Sequence, residues 1–122
     1  IKRSLKMLAP KVDADGNEVG GVPVVLLGAP LGTYLGWNVA AGGFHKDQIC
    51  YYAGGMIPFA RNLEQRRANR DLRPSLEERY GSHDGYVAEV KKAAAHAMAE
   101  GFLLQEDAAA LITAAEKSAV LR

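Results

Sequence analysis

The chain has 122 residues, a size that fits one domain with a modest core. Hydrophobic residues make up 48% and charged residues 24%, which is a globular rather than a disordered composition. The formal net charge of +1 makes no electrostatic case for nucleic acid or an anionic membrane as a partner, and the single cysteine excludes an internal disulfide or a cysteine-based zinc site.

The chain begins at Ile1, and residues 1–8 carry basic side chains without an apolar stretch of signal-peptide length. A trimmed start and a piece of a longer protein are both compatible with this. Residues 11–19 read as a hairpin. Asp15 and Gly16 supply the positive φ angles of a tight two-residue turn, and Val12 and Val19 flank it as strand residues. Asp13, Asp15 and Asn17 alternate like the start of a calcium loop. That loop would need Gly where Glu18 stands and a bidentate Glu where Val24 stands, so no metal site is read here.

Residues 22–27 are apolar and β-branched and predict a buried strand, with Pro23 at its start or at an edge. Pro30 stops the strand. The apolar stretch 22–35 is too short and too interrupted to span a bilayer. Gly28, Gly32 and Gly36 recur every four residues. No Gly-Lys-Ser/Thr follows, so this is not a phosphate loop, and close backbone packing in a turn is the expectation. Residues 39–61 form a loop region, within which paired glycines at 42–43 and 54–55 bracket the stretch 40–55, with a short helical turn over 45–50. His45 near Cys50 suggests a nucleophile pair only superficially, because catalytic pairs meet in space. A half-buried thiol and a surface imidazole are expected.

Asn62 caps a helix over 63–68. Ser75 and Glu78 have capping-box spacing for a second short helix, which Gly81 closes. Arg61, Arg66, Arg67, Arg70, Arg73 and Arg79 form a basic cluster interleaved with Glu64, Asp71, Glu77 and Glu78, the pattern of a salt-bridged surface. Ser82 caps the longest helix, 83–100, whose stripe is Tyr86, Val87, Val90, Ala94, Ala97 and Met98. Gly101 ends it. Gln105 is a weak cap for a last helix with Ala108, Leu111, Ile112 and Ala115 on one face and Val120 near its end. The short link favours an antiparallel helix pair, and its small residues permit close approach.

The fold class that follows is α+β: a short N-terminal hairpin and strand region over 1–38, a Gly-rich loop over 39–61, and a mainly helical part over 62–122. No Gly-x-Ser-x-Gly elbow is present. Adjacent Ser82, His83 and Asp84 cannot form a triad at a helix start, because their side chains diverge. His96 has no second ligand at helical spacing, and nothing calls for a cofactor.

Several blocks stand in a specific order and spacing: residues 12–22, residues 29–38 (Ala-Pro-Leu-Gly-Thr-Tyr-Leu-Gly-Trp-Asn), residues 57–60 (Ile-Pro-Phe-Ala), and residues 73–80 (Arg-Pro-Ser-Leu-Glu-Glu-Arg-Tyr). Together they make residues 8–116 resemble the C-terminal region of the family of alpha/beta hydrolase domain proteins. The resemblance implies that the 122 residues are one unit closing a larger chain, with the hydrolase core upstream as its partner, and it carries no catalytic residue onto a position here. Tyr34, Trp37 and Phe59 are the candidates for a cleft wall, with core packing as their alternative role. A non-enzymatic module that self-associates through the helical pair is the competing expectation.

Overall fold

The computed structural model describes residues 10–22, 24–50 and 53–122. Residues 1–8 and Pro23, each given an expectation above, lie outside the described residues. Past a hairpin bridged between Val12 and Glu18, the elements are α1 (Val25–Gly28), β1 (Gly32–Leu35), β2 (Asn38–Val39), β3 (Ile49–Cys50), β4 (Gly55–Pro58), α2 (Leu63–Ala68), α3 (Leu76–Tyr80), α4 (His83–Ala99) and α5 (Gln105–Lys117). β1 pairs antiparallel with β4, with Gly32 opposite Pro58 and Leu35 opposite Gly55. β2 pairs antiparallel with β3. The architecture is α+β, with short antiparallel strands early and helices after them.

The stretch 22–27 is not the strand its composition predicts. It contains a helical turn, closed by Gly28 N–H to the Val24 carbonyl at 3.1 Å and Ala29 N–H to the Val25 carbonyl at 3.0 Å. A short apolar run does not distinguish strand from helix by periodicity. Here packing decides: a Cβ on Gly28 would lie 2.6 Å from the Ala93 Cβ of α4, so the turn sits directly on that helix. Gly32 is equally tight, since a Cβ there would strike the Ile57 carbonyl of β4. Gly36 has open space around it, so close packing explains only the first two glycines of the series.

The hairpin turn also differs from the two-residue form. Gly16 N–H bonds the Asp13 carbonyl at 3.1 Å and Asp13 N–H bonds the Asn17 carbonyl at 2.9 Å, which leaves three residues in the loop. Gly16, at φ +80°, takes the left-handed position of that loop type. Strands β3 and β4 occupy part of the stretch 39–61 that reads as loop, because their partners lie 10 residues and more away and leave no local signal. Residues 44–47 form a turn, and Ile49 and Cys50 then extend into β3. Cys50 is exposed rather than half-buried.

The helical half follows its capping signals. Asn62 Oδ1 accepts the Gln65 N–H at 2.9 Å. Ser75 and Glu78 complete a reciprocal capping box. Ser82 Oγ accepts the Gly85 N–H at 3.2 Å, and Gly81 and Gly101 take positive φ. α5 begins after Leu104, which has no side-chain cap, so Gln105 is its first residue and not its cap. α4 and α5 form an antiparallel pair, with His83 at the start of α4 beside Glu116 near the end of α5. Ala94, Ala97, Ala108 and Ala115 are buried, as their small size requires at a close crossing. Tyr86, Val87 and Val90 join Ala29 and Ala115 in the core, with Val25, Leu31, Tyr80, Ile112 and Val120 against them. Leu111 and Met98 are more exposed than their helical stripes imply. No helix among the described residues is long and apolar enough to cross a membrane.

Candidate functional site

The hairpin, the β1–β4 sheet and the helical half meet in one polar cluster. Asp13 Oδ1 accepts the N–H groups of Asp15 at 2.8 Å and Asn17 at 2.9 Å, which closes the loop. Asn17 is turned inward and buried. Its side-chain amide lies along the outer edge of β1, accepting from Tyr34 N–H at 2.8 Å and donating to the Gly32 carbonyl at 3.1 Å. One side chain thereby replaces the peptide of a neighbouring strand. Thr33 Oγ1 donates to the Asp15 carbonyl and accepts from Arg73 Nη1, the latter at 2.8 Å.

Two arginines converge on Phe59. Its ring is buried, with the Arg79 guanidinium 4.1 Å and the Arg73 guanidinium 5.1 Å from the ring centroid. Each cation is also paired: Arg79 with Asp15 of the hairpin, and Arg73 with Asp71 through Nε at 2.9 Å and Nη2 at 2.6 Å. Arg73 further donates to the carbonyls of Ile57 at 3.0 Å and Pro58 at 3.3 Å, tying the 71–73 segment to β4. The bidentate hydrogen bonds from Arg73 hold the Asp71 carboxyl down to about 2 from its ordinary 3.8. Hydrogen bonds from Ser75 lower the Glu78 carboxyl, while burial raises the Tyr80 and Tyr86 phenols. Arg66 Nε stands 3.1 Å from Glu78 Oε2 but is misaligned for a hydrogen bond, so that contact is an ion pair only. Arg67 and Arg70 are exposed.

The structure brings Tyr34 and Trp37 together and separates Phe59 from them. Tyr34, Leu35 and Trp37 line a groove of about 420 Å³ with Val12, Glu18 and Ile49. Trp37 is half exposed there, and the Tyr34 hydroxyl accepts the Leu31 N–H at 3.2 Å. Phe59 is a platform for Arg73 and Arg79. Asp15 is the residue that sequence reasoning missed in this cluster. It reads as a turn former, yet its carboxylate crosses from the hairpin to α3, and only the long-range fold supplies Arg79 as its partner.

Ser75 and His83 hold backbone, whereas His45 and His96 do not. Ser75 is fully buried, with Oγ donating to Glu78 Oε2 at 2.7 Å. His83 reaches the carbonyls of Val120 through Nδ1 at 2.8 Å and Glu116 through Nε2 at 3.2 Å. His45 Nδ1 meets Gln48 Oε1 at 2.9 Å on the surface. His96 lines a separate cavity of about 340 Å³ with Asp13, Glu18, Leu27 and Ala93. Among the described residues no group of three or more His, Cys, Asp or Glu side chains is placed to hold a metal ion.

A family model described as an alpha/beta hydrolase domain matches residues 2–113, from ahead of the hairpin into α5. Searches of curated proteins and of solved structures found no match.

Proposed function

The chain belongs to the alpha/beta hydrolase domain family, and on that premise we propose that it is the C-terminal part of an ester-hydrolase-like enzyme whose nucleophile, acid and base lie elsewhere in the whole protein. The observation that carries this reading is how the serines and histidines are used. Ser75 and Ser82 cap helices, and both nitrogens of His83 face backbone carbonyls. A nucleophilic serine needs an exposed Oγ within reach of an imidazole, itself oriented by a third group. Ser75 is buried against Glu78 instead.

In this reading the hydrolase core packs on the helical half, and the groove of Tyr34 and Trp37 borders the substrate cleft. An aromatic wall at the mouth of a concave site suits an apolar ester group. The polar cluster of Asn17, Thr33, Asp15 and Arg79 then holds that wall rigid, since Asn17 bonds the Tyr34 N–H and the Gly32 carbonyl while Thr33 of β1 donates to the Asp15 carbonyl of the hairpin. The test is hydrolysis of a chromogenic ester by this chain alone and by the chain joined to its natural upstream sequence. The joined protein is expected to turn over and the isolated chain not to. Trp37→Ala in the joined protein should raise KM several-fold while thermal stability stays the same. Turnover by the isolated chain that depends on one of its own residues would overturn the proposal.

A second reading is supported by the apolar groove between α1, α4 and α5, about 260 Å³ in volume and lined by Val22, Val24, Leu26, Phe102, Leu103 and Leu111. Exposed apolar surface of this kind marks an interface. As a non-enzymatic module the chain would self-associate through it. Light scattering decides: a dimer that Leu26→Asp dissociates supports self-association, and a folded monomer removes it.

A further inference from the structure

The groove of about 420 Å³ that holds Tyr34 and Trp37 is walled from several sides. β1 and the residues after it bring Tyr34, Leu35 and Trp37, β3 brings Ile49, and the hairpin brings Val12 and Glu18. Val12 and Glu18 are directly paired across the hairpin, which sets their side chains on one face. The lining is therefore aliphatic carbon and aromatic ring with one acid in it, and none of the residues that line it is a cation. Glu18 is exposed, and its carboxylate enters no ion pair among the described residues. The Tyr34 hydroxyl is turned to the Leu31 N–H at 3.2 Å, so Tyr34 offers the groove its ring. Asn17 fixes the main chain beneath that ring through the Tyr34 N–H at 2.8 Å. Trp37, the one tryptophan of the chain, stands half exposed.

We propose that this groove binds a quaternary ammonium group carried by a small soluble molecule. The face of an aromatic ring is the negative side of its quadrupole, and a cation within about 6 Å of the ring centroid is attracted to it. A carboxylate in the same groove adds an opposite charge at close range. The methylated cation suits this lining better than a primary ammonium does. A primary ammonium has N–H donors that each need an acceptor, and Glu18 is the only lining side chain with a carboxylate or amide to supply one. A quaternary ammonium has no N–H and presents methyl groups to Val12, Leu35 and Ile49 as well as to the rings. The absence of a cation from the lining also decides the source of the group. A phosphocholine lipid headgroup brings a phosphate beside its ammonium, and that phosphate would meet Glu18 with no lining residue to neutralise it.

The binding stands on the groove alone. That the ammonium belongs to the ester substrate rests on the reading of this groove as the border of the substrate cleft. On that reading the substrate is an ester whose acyl or alcohol part carries the cation.

The experiment titrates the chain with choline and with neohexanol, which has the same shape with carbon in place of the charged nitrogen. Trp37 fluorescence reports directly on the groove, and saturation-transfer NMR on the ligand methyl protons reads the variant that lacks the indole. Choline is expected to change the fluorescence and to bind about fivefold or more tightly than neohexanol. Glu18→Gln should weaken choline about fivefold and leave neohexanol unchanged. Trp37→Leu should lose the saturation transfer while circular dichroism shows the chain folded. Glu106→Gln, at the exposed start of α5, should change nothing, which separates a local carboxylate from overall charge. No binding of choline, equal affinity for choline and neohexanol, choline binding untouched by Glu18→Gln, or an equal loss in Glu106→Gln would each overturn the site. So would capture of phosphatidylcholine vesicles by a chain that ignores free choline. Choline binding by a chain whose joined form hydrolyses no ester supports the site and removes the substrate reading, whereas ester turnover by the joined form without choline binding removes the site and leaves that reading.

Discussion

Asn17→Ala should destabilise the fold out of proportion to the size of the group removed. The Asn17 amide satisfies two main-chain groups of β1 that face away from β4: the Tyr34 N–H at 2.8 Å and the Gly32 carbonyl at 3.1 Å. The opposite edge of β1 is already paired with β4, so these two groups have no strand to turn to. Leaving a buried donor or acceptor unpaired costs about 1–3 kcal/mol each. Water entering the vacated space relieves part of that, which leaves a loss of about 2–4 kcal/mol. Set against a typical domain stability of about 5–15 kcal/mol, the effect is large. Urea unfolding followed by circular dichroism measures it as a lower midpoint with an unchanged slope. Amide exchange at Tyr34 should accelerate in parallel. Asn17→Asp gives a sharper contrast. It keeps the acceptor for Tyr34 but sets a carboxylate oxygen against the Gly32 carbonyl, so at neutral pH it should be at least as damaging as alanine. Its stability should then recover in part as acid restores an O–H donor. A loss below about 0.5 kcal/mol for Asn17→Ala, within the range of an ordinary surface substitution, would refute the view that this amide stands in for a strand.

Asp71 has a folded-state pKa of about 2 against an ordinary 3.8, so its pairing with Arg73 is fully stabilising above about pH 4 and is lost as pH falls toward 2. Acid unfolding of Asp71→Asn should lack that contribution, and wild-type and variant curves that differ by a constant amount from pH 5 to pH 2 would contradict it. Ser75→Ala removes the Oγ half of the capping box at a fully buried site while the main-chain N–H of residue 75 keeps its bond to Glu78, and a loss of about 1–2 kcal/mol in thermal or urea unfolding is expected. Gly28→Ala puts a methyl 2.6 Å from the Ala93 Cβ and should cost about 1–3 kcal/mol by overpacking. Combining it with Ala93→Gly should give a favourable coupling in a double-mutant cycle, whereas simple additivity would mean that the two residues do not touch.

Sequence reasoning was strongest where the information is local. A capping serine and its glutamate lie three residues apart, and so the start of α3 was legible from Ser75 and Glu78 alone. The α4 stripe was legible for the same reason, since helical spacing repeats within a few residues. The stretch 22–27 was misread because β-branched apolar residues suit a buried strand and a buried helical turn alike. The short strands β3 and β4 were missed because their pairing partners are remote. Of the proposed wall residues, Tyr34 and Trp37 share a groove, while Phe59 stacks under arginines that no local pattern links to it.

The order and spacing of residues by themselves determined the family, helices α2 to α5 and the side-chain caps of α2, α3 and α4, because each depends on chain neighbours or on a pattern carried along the chain. Tertiary structure alone decided which charges meet. Asp15 finds Arg79, Asn17 completes the edge of β1, and His83 comes between Glu116 and Arg122. Hydrogen bonds and ion pairs act over about 3 Å, and the groups they join here are separated by 15 to 64 residues of chain. Nothing short of the folded path brings those groups within that distance.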